Sequence, residues 1–490
     1  VVSRRASHLI FLFVFAALLL AMHGPLLTLP FHWDELGQFV PAALDIYRDG
    51  AWVPHSALPN VHPPGIMLLL AGVWKGFGYS IPLTRLTMLA IAALGVYLTF
   101  LLAIRLSRKS PDAPAIAAVL FLLASPLFYT QSMMVLLDMP AMTLTVLALL
   151  LFLDERYAAC ALATTALVLV KETGISTPLV FGAWLLFRER RVRAALYFLA
   201  PAVALGLWLV ELHHVTGHWL GNDEFANFNV NQSLGFSHIV YAIGRRIYML
   251  FLSDGHFLGA AALIAGWRLL RGKEWAIAGL VALSQTAVVT LLGGAVLDRY
   301  MLPVLPILYT AFAVAGSAWS RKVRLCVQGA MVTLFIVGWF WNPPVPFPYE
   351  NNLAMVDFVR LQQKAAGYLE DHAGGQRIAT AWPFSEVLVN PEFGYVHRPL
   401  NLRIRTGGVR LANLAQLNPK DSDILVLYSA EWSVKGRPLD IEAVRTLVYR
   451  FLDPNINATP DEIRATLGFV PALRWERGGQ WIEIYLPERP

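Results

Sequence analysis

Apolar runs close to the roughly 20 residues that a helix needs to cross a bilayer recur from the N-terminus of this chain to about Trp341, and then they stop. A chain of 490 residues that is 57% hydrophobic and 15% charged is not a single soluble globule, because an average soluble domain carries about 25% charged residues. Length and apolarity place spans at about 8–29, 83–104, 113–129, 133–153, 157–170, 174–187, 195–214, 244–267, 275–296, 300–319 and 323–341, an α-helical polytopic membrane domain of about eleven helices. The opening stretch, VVSRRASHLIFLFVFAALLLAMHGP, has the charged front of a signal peptide. Its apolar part is too long for a typical h-region, so it is read as an uncleaved first helix.

The net charge of +6 does not point to nucleic acid. The basic residues form short clusters between apolar runs: Arg4-Arg5, Arg105-Arg108-Lys109, 188–193, Arg268-Arg271-Lys273 and Arg321-Lys322-Arg324. They fall on alternate ends of the spans, which the positive-inside rule assigns to the cytoplasm. That predicts a multi-pass protein of a bacterial inner membrane, with its N-terminus inside and its C-terminal part periplasmic or extracellular. In residues 157–187 two short apolar pieces flank Lys171-Glu172. Two helices keep the basic ends together inside, whereas one long helix would separate them. The two-helix arrangement is preferred, with Lys171-Glu172 near the outer surface. Cys160 and Cys326 lie in or beside apolar runs and offer no disulfide framework or metal spacing.

The outward segments are then a long first loop at 30–82, a turn near Gln131 and a loop at 215–243. After Trp341 comes WNPPVPFPYENN, which cannot continue a helix and divides a membrane domain, 1–342, from a small extracytoplasmic α/β domain, 343–490. In the latter an amphipathic helix is expected at 355–369 and strands at 377–381, 424–428 and 481–486. The sequons at Asn231 and Asn457 are common by chance.

The charges in and beside the apolar runs carry the chemistry. Asp34 and Glu35, in FHWDELGQF, sit just outside the first helix, where carboxylates suit a base or a hard-metal ligand; the alternative is a solvated helix start. His62, in NVHPPG, precedes two prolines that lead into a short interfacial helix, and alone it reads as a surface residue. Asp138 interrupts an apolar run, which is costly without a wet cavity or a partner, although with Pro140 following it also fits a helix N-cap. Lys171 and Arg299 are cations at outer helix ends and suit an anionic ligand. Their alternatives are internal pairs with Glu172 and Asp298, or snorkelling to headgroups. Arg85, Arg245, Arg246, Asp223 and Glu224 are lesser candidates, the arginines reading as headgroup anchors. Trp184, Trp208 and Trp341 read as packing or interfacial residues.

The order Asp-Glu after the first helix, His-Pro-Pro in the same loop, Asp-Met-Pro, Lys-Glu-Thr-Gly and Arg-Tyr-Met-Leu-Pro resembles GT-C glycosyltransferases of the dolichyl-phosphate-mannose protein mannosyltransferase type, whose bacterial relatives include the lipid A aminoarabinose transferase. The likeness covers about residues 8–341. It implies a sugar donor linked to a polyprenyl monophosphate, a hydroxyl-bearing acceptor in the envelope, and contact with membrane lipids. It also implies Asp34 as the base with Glu35 supporting it, Asp138 as a second acidic site near the donor phosphate or a metal, Lys171 and Arg299 neutralising that phosphate, and His62 lining the cavity. Mg²⁺ or Mn²⁺ would suit the oxygens of Asp34 and Asp138, and members of the superfamily differ on metal use. One departure weakens lipid A as the acceptor: Asp34-Glu35 is followed by Leu36, Gly37, Gln38 and Phe39, where the aminoarabinose transferases and many relatives carry a nearby Arg-Tyr. A hydroxyl needs a base to attack, and attack opposite the leaving phosphate predicts a single-displacement, inverting transfer. Two rivals are a transporter or flippase of lipid-linked sugars, against which the absence of an evident inverted repeat counts, and a silent assembly subunit, against which the retained acidic pair counts.

Overall fold

The computed structural model describes residues 4–108, 114–342, 347–408, 410–429, 442, 446 and 457–488. Lys109 of the second basic cluster and the core of the proline-rich stretch, 343–346, lie outside these residues. The chain divides into two compact units. One contains Val1–Leu27 and Gln38–Trp339, the other Thr28–Gly37 and Phe340–Pro490. The segment carrying Asp34 and Glu35 therefore packs with the C-terminal residues.

The first unit is a polytopic helical membrane bundle. Among the described residues six helical stretches are long and apolar enough to cross a membrane: Leu9–Leu26, Ile81–Leu106, Val192–Thr216, Phe236–Leu269, Lys273–Leu291 and Asp298–Ala318. The apolar helices Gly65–Phe77, Ala115–Ala124, Asp138–Leu153 and Tyr157–Val170 are shorter. The shorter helices are bounded by local breaks. Ser125 leaves helical geometry before Pro126, residues 132–137 are non-helical, and the extended backbone of Lys171 ends Tyr157–Val170 before Ser176–Ala183 begins.

Helix Ile81–Leu106 starts cleanly, because the Ser80 hydroxyl accepts the Leu83 amide and Pro82 occupies the first turn. It packs against Arg4–His23 on one side and Asp138–Leu153 on another. Ala92, Val96 and Phe100 share a buried core with Phe15, Leu19, Phe121 and Phe312. On the first helix Phe15 and Leu19 are buried while Leu9 and Phe13 are exposed. Such a helix is apolar on both faces and needs protein on one and lipid on the other. A second core joins Leu102, Phe152, Phe181 and Phe198, where the rings of Phe152 and Phe181 stack at 4.2 Å. Glycines let backbones touch: a Cβ on Gly65 would fall on the carbonyl oxygen of Leu169, and one on Gly266 on that of Ala315.

Among its described residues the second unit holds a five-stranded sheet formed by β1 (Ile378–Ala381), β2 (Leu402–Thr406), β3 (Ile424–Tyr428), β4 (Phe469–Arg477) and β5 (Gln480–Pro487). The order is β2-β1-β3-β5-β4. β1 pairs in parallel with β2 and β3, while β5 runs antiparallel to β3 and β4. The hairpin β4–β5 turns on Gly478 and Gly479, both at positive φ, as a two-residue turn requires. Helix Ala354–His372 packs on β4 and β5. It carries a buried face of Met355, Val359, Ala366 and Leu369, spaced as an amphipathic helix demands.

Candidate active site

Asp138 is the first residue of helix Asp138–Leu153 and is 2% exposed. One carboxylate oxygen accepts a hydrogen bond from Lys171 Nζ, and the other lies 3.3 Å from Arg299 Nε. Lys171 and Arg299 are themselves buried. Lys171 reaches Asp138 because helix Tyr157–Val170 ends beneath it, and Arg299 because it sits in the first turn of the 3₁₀ helix Asp298–Val304, which carries Pro303. A charge in an apolar bundle persists only with partners or water, and here two cations meet one carboxylate. Below them lies the ring of Tyr300: Lys171 Nζ stands 4.2 Å from its centroid, and the guanidinium carbons of Arg299 and Arg246 stand at 5.7 and 5.8 Å. These are cation–π distances.

The acids adjacent to these cations in sequence bond to other residues as well. Asp298 takes a bidentate contact from Arg245, at 3.0 and 2.7 Å. Arg246 donates to the carbonyls of Leu297 at 2.6 Å and Val289 at 3.3 Å. Arg85 is fully buried and donates to the carbonyl of Met133 at 2.9 Å, in the non-helical stretch before Asp138. These three arginines are therefore not headgroup anchors; they brace the stretches that carry Arg299 and Asp138. The signal for them in the sequence was charge inside apolar sequence, the same signal that marked Asp138. For Tyr300 there was none beyond its place next to Arg299.

His62 is placed differently. Its Nδ1 lies 2.8 Å from Glu172 Oε2, so its direct partner is an acid. Burial pushes the Glu172 carboxyl up, but the charge and hydrogen bond of His62, and then Lys171, outweigh this and hold it below the ordinary value. The Asn60 side chain accepts the His62 amide at 3.0 Å, and Trp208 Nε1 donates to the Val61 carbonyl at 2.9 Å. This fixes the loop before the two prolines. His62 lines a small cleft together with Gln38, Phe39, Asn60, Trp52 and Met67. Earlier in the first loop Asp45, Asp49 and His55 gather within 4.8 Å. Asp45 there accepts the amides of His55 and Ser56, both at 2.9 Å, which accounts for its burial as a loop brace. Asp223 is exposed and pairs with His218.

In the second unit the residues before Asp34 are unusual. Trp33 has φ +47°, a left-handed backbone that costs a non-glycine residue about 1–2 kcal/mol. Residues Glu35–Phe39 then wind as a π-helix, a form frequent at functional sites. Glu35 is fully buried and its Oε2 accepts the His32 amide at 2.8 Å, so it holds the turn. Asp34 is partly exposed. The Tyr395 hydroxyl donates to the Phe31 carbonyl at 2.7 Å, and the ring of Phe358 meets those of His32 and Trp33. Asp34 and Glu35 thus belong to one unit, while Asp138, Lys171, Arg299 and His62 belong to the other.

Comparison with solved structures gives the fold. The chain is similar to ArnT from Cupriavidus metallidurans bound to undecaprenyl phosphate, with 16% identity, a TM-score of 0.58 and coverage of 96% of this chain and 97% of that one. The apo state of the same protein gives 16% identity and a TM-score of 0.57, with 98% of each chain covered. The Archaeoglobus fulgidus oligosaccharyltransferase is similar at 12% identity and a TM-score of 0.47, over 85% of this chain and 67% of that one. The fold is that of the GT-C membrane glycosyltransferases. No curated protein matches the chain. Residues 60–368, more than half of the chain, match the family described as predicted membrane protein (DUF2079), and the chain belongs to that family.

Proposed function

We propose that the protein is an integral-membrane, inverting glycosyltransferase that moves a sugar from a polyprenyl-phosphate-linked donor to a hydroxyl acceptor, on protein, lipid or glycan, at the outer face of the membrane. The observation that carries this reading is the meeting of Lys171 and Arg299 on one buried carboxylate, Asp138. Lys171 and Arg299 hold their positive groups at this buried carboxylate before any ligand arrives. As the bond from the anomeric carbon to the phosphate oxygen breaks, the electron pair goes to the phosphate, and a preorganised positive site stabilises the charge that develops. The GT-C fold, and undecaprenyl phosphate in a neighbour of that fold, support a donor of this class.

Asp34 takes the proton of the acceptor hydroxyl as its oxygen attacks the opposite face, and Glu35 holds the turn. A divalent ion does not fit at Asp138, because its two oxygens face Lys171 and Arg299, so no step is routed through a metal. In this reading residues 1–342 form the transmembrane catalytic domain and 343–490 an extracytoplasmic domain, with the N-terminus cytoplasmic.

The test is mass spectrometry of envelope glycolipids and glycoproteins from cells with and without the protein. A species bearing an added hexose or pentose is expected to disappear, and an unchanged envelope would remove the transferase assignment. Cells carrying Asp34→Asn should make at least about 100-fold less product, the usual worth of a positioned base, with normal protein levels. Near-normal product would take Asp34 out of the base role.

A further inference from the structure

We propose that Trp382 is a positioning residue for the reaction: its indole clamps the turn that carries Asp34, so the C-terminal unit sets the geometry of the base. This rests on reading Asp34 as that base. The contact is made from both sides of the turn. The ring of Trp33 meets the ring of Trp382 edge-on, at 5.0 Å and 77°. At the other end, a Cβ added to Gly37 would stand 2.8 Å from Cζ2 of the same indole, so only a glycine lets the backbone lie against it. Between these two contacts the turn closes on itself, with the amides of Leu36 and Gly37 both donating to the Trp33 carbonyl, at 2.8 and 3.2 Å.

The clamp is mounted on the sheet. Trp382 directly follows β1 and precedes helix Phe384–Val389, and the Tyr428 hydroxyl, from the end of β3, donates to the carbonyls of Trp382 at 2.5 Å and Ala381 at 3.2 Å. The backbone is thereby fixed to the two central strands while the indole remains 39% exposed. A large apolar side chain left that open contributes little to the core of its own unit; what it does touch is the turn. Trp33, held at φ +47°, is a conformation that persists only when its surroundings impose it, and Trp382 is the neighbour that reaches both Trp33 and Gly37.

The experiment uses the full chain in detergent, comparing hydrogen–deuterium exchange of wild type, Trp382→Ala, Trp382→Phe and Gly37→Ala, with envelope product measured in cells carrying each. Trp382→Ala should raise exchange in residues 28–37 at least tenfold while β1 and β3 stay protected, and product should fall at least tenfold at unchanged protein level. Trp382→Phe, which keeps a ring, should restore much of both. Gly37→Ala, which disturbs the contact from the other side, should reproduce the loss. Unchanged exchange in residues 28–37 of Trp382→Ala overturns the inference, as does a loosened turn with full product. A failure of the base assignment is read separately: Asp34→Asn would then retain product whatever the exchange data show.

Discussion

At the scale of single residues, Asp138 is held by charge rather than by packing. Its two partners are buried with it, so removing the carboxylate takes an anionic partner from two buried cations. Breaking a buried ion pair from one side costs about 3–5 kcal/mol, and Asp138→Asn should lower the thermal stability of the detergent-solubilised protein accordingly. Combining Asp138→Asn with Lys171→Met, which takes away the cation that donates to Asp138, should recover part of the loss; a double variant no more stable than the single one would show that the two residues are not coupled. The sequence singles out Asp138, Lys171 and Arg299 because each is a charge where apolar residues are expected. It does not reveal their pairing. Adjacency suggests Lys171 with Glu172 and Arg299 with Asp298, whereas the fold also joins those acids to His62 and Arg245 and turns the cations toward a residue more than 30 positions away.

At the scale of elements, close approach is controlled by glycine. Helix Gly65–Phe77 meets helix Tyr157–Val170 where Gly65 faces the Leu169 carbonyl, and this contact lies between His62 and Lys171 in the chain. Gly65→Val has no flexible neighbour to push aside and should cost about 1–3 kcal/mol, as overpacking does. Gly72, on the open face of the same helix with nothing near its Cβ position, should accept alanine with unchanged or slightly higher stability. A common melting temperature for the two variants would contradict this packing. The strands show where sequence reading stops. β1, β3 and β5 are recognisable at about 377–381, 424–428 and 481–486 because they occupy the interior of the sheet and read as apolar runs. β2 and β4 are not recognised. They are the two edges, where LRIRT alternates with arginine and FVPALRWER carries Pro471 and charged residues. Edge strands tolerate proline and use charge to avoid further pairing, so the features that suit them to the edge also hide them. Likewise the apolar runs mark the membrane helices and the two-helix arrangement around Lys171, whereas the break at Ser125, before Pro126, falls inside the expected span 113–129.

At the scale of the whole molecule, one ion pair contributes to the acid response of the second unit. Arg377, just before β1, gives Asp423, just before β3, its backbone amide at 2.8 Å and its side chain at 3.0 and 2.8 Å, and these contacts hold the Asp423 carboxyl down to about 2 from an ordinary 3.8. A carboxylate with a depressed folded-state value stabilises the fold above its ordinary value, and that stabilisation is lost as pH falls through the folded one. The full chain in detergent should therefore lose sheet stability between about pH 4 and 2. Because the pair is partly exposed, the loss is modest. Asp423→Asn should flatten that limb of an acid-unfolding curve followed by circular dichroism; an unaltered limb would assign it to other carboxylates. The same unit also takes in Thr28–Gly37 from far up the chain. The tail is therefore not an exchangeable module: grafting another domain after residue 339 would give the bundle a new appendage without an indole to bracket the Trp33 turn or a phenol to grip the Phe31 carbonyl, and inheritance of the two parts is tied together by ten residues that belong by sequence to one and by packing to the other.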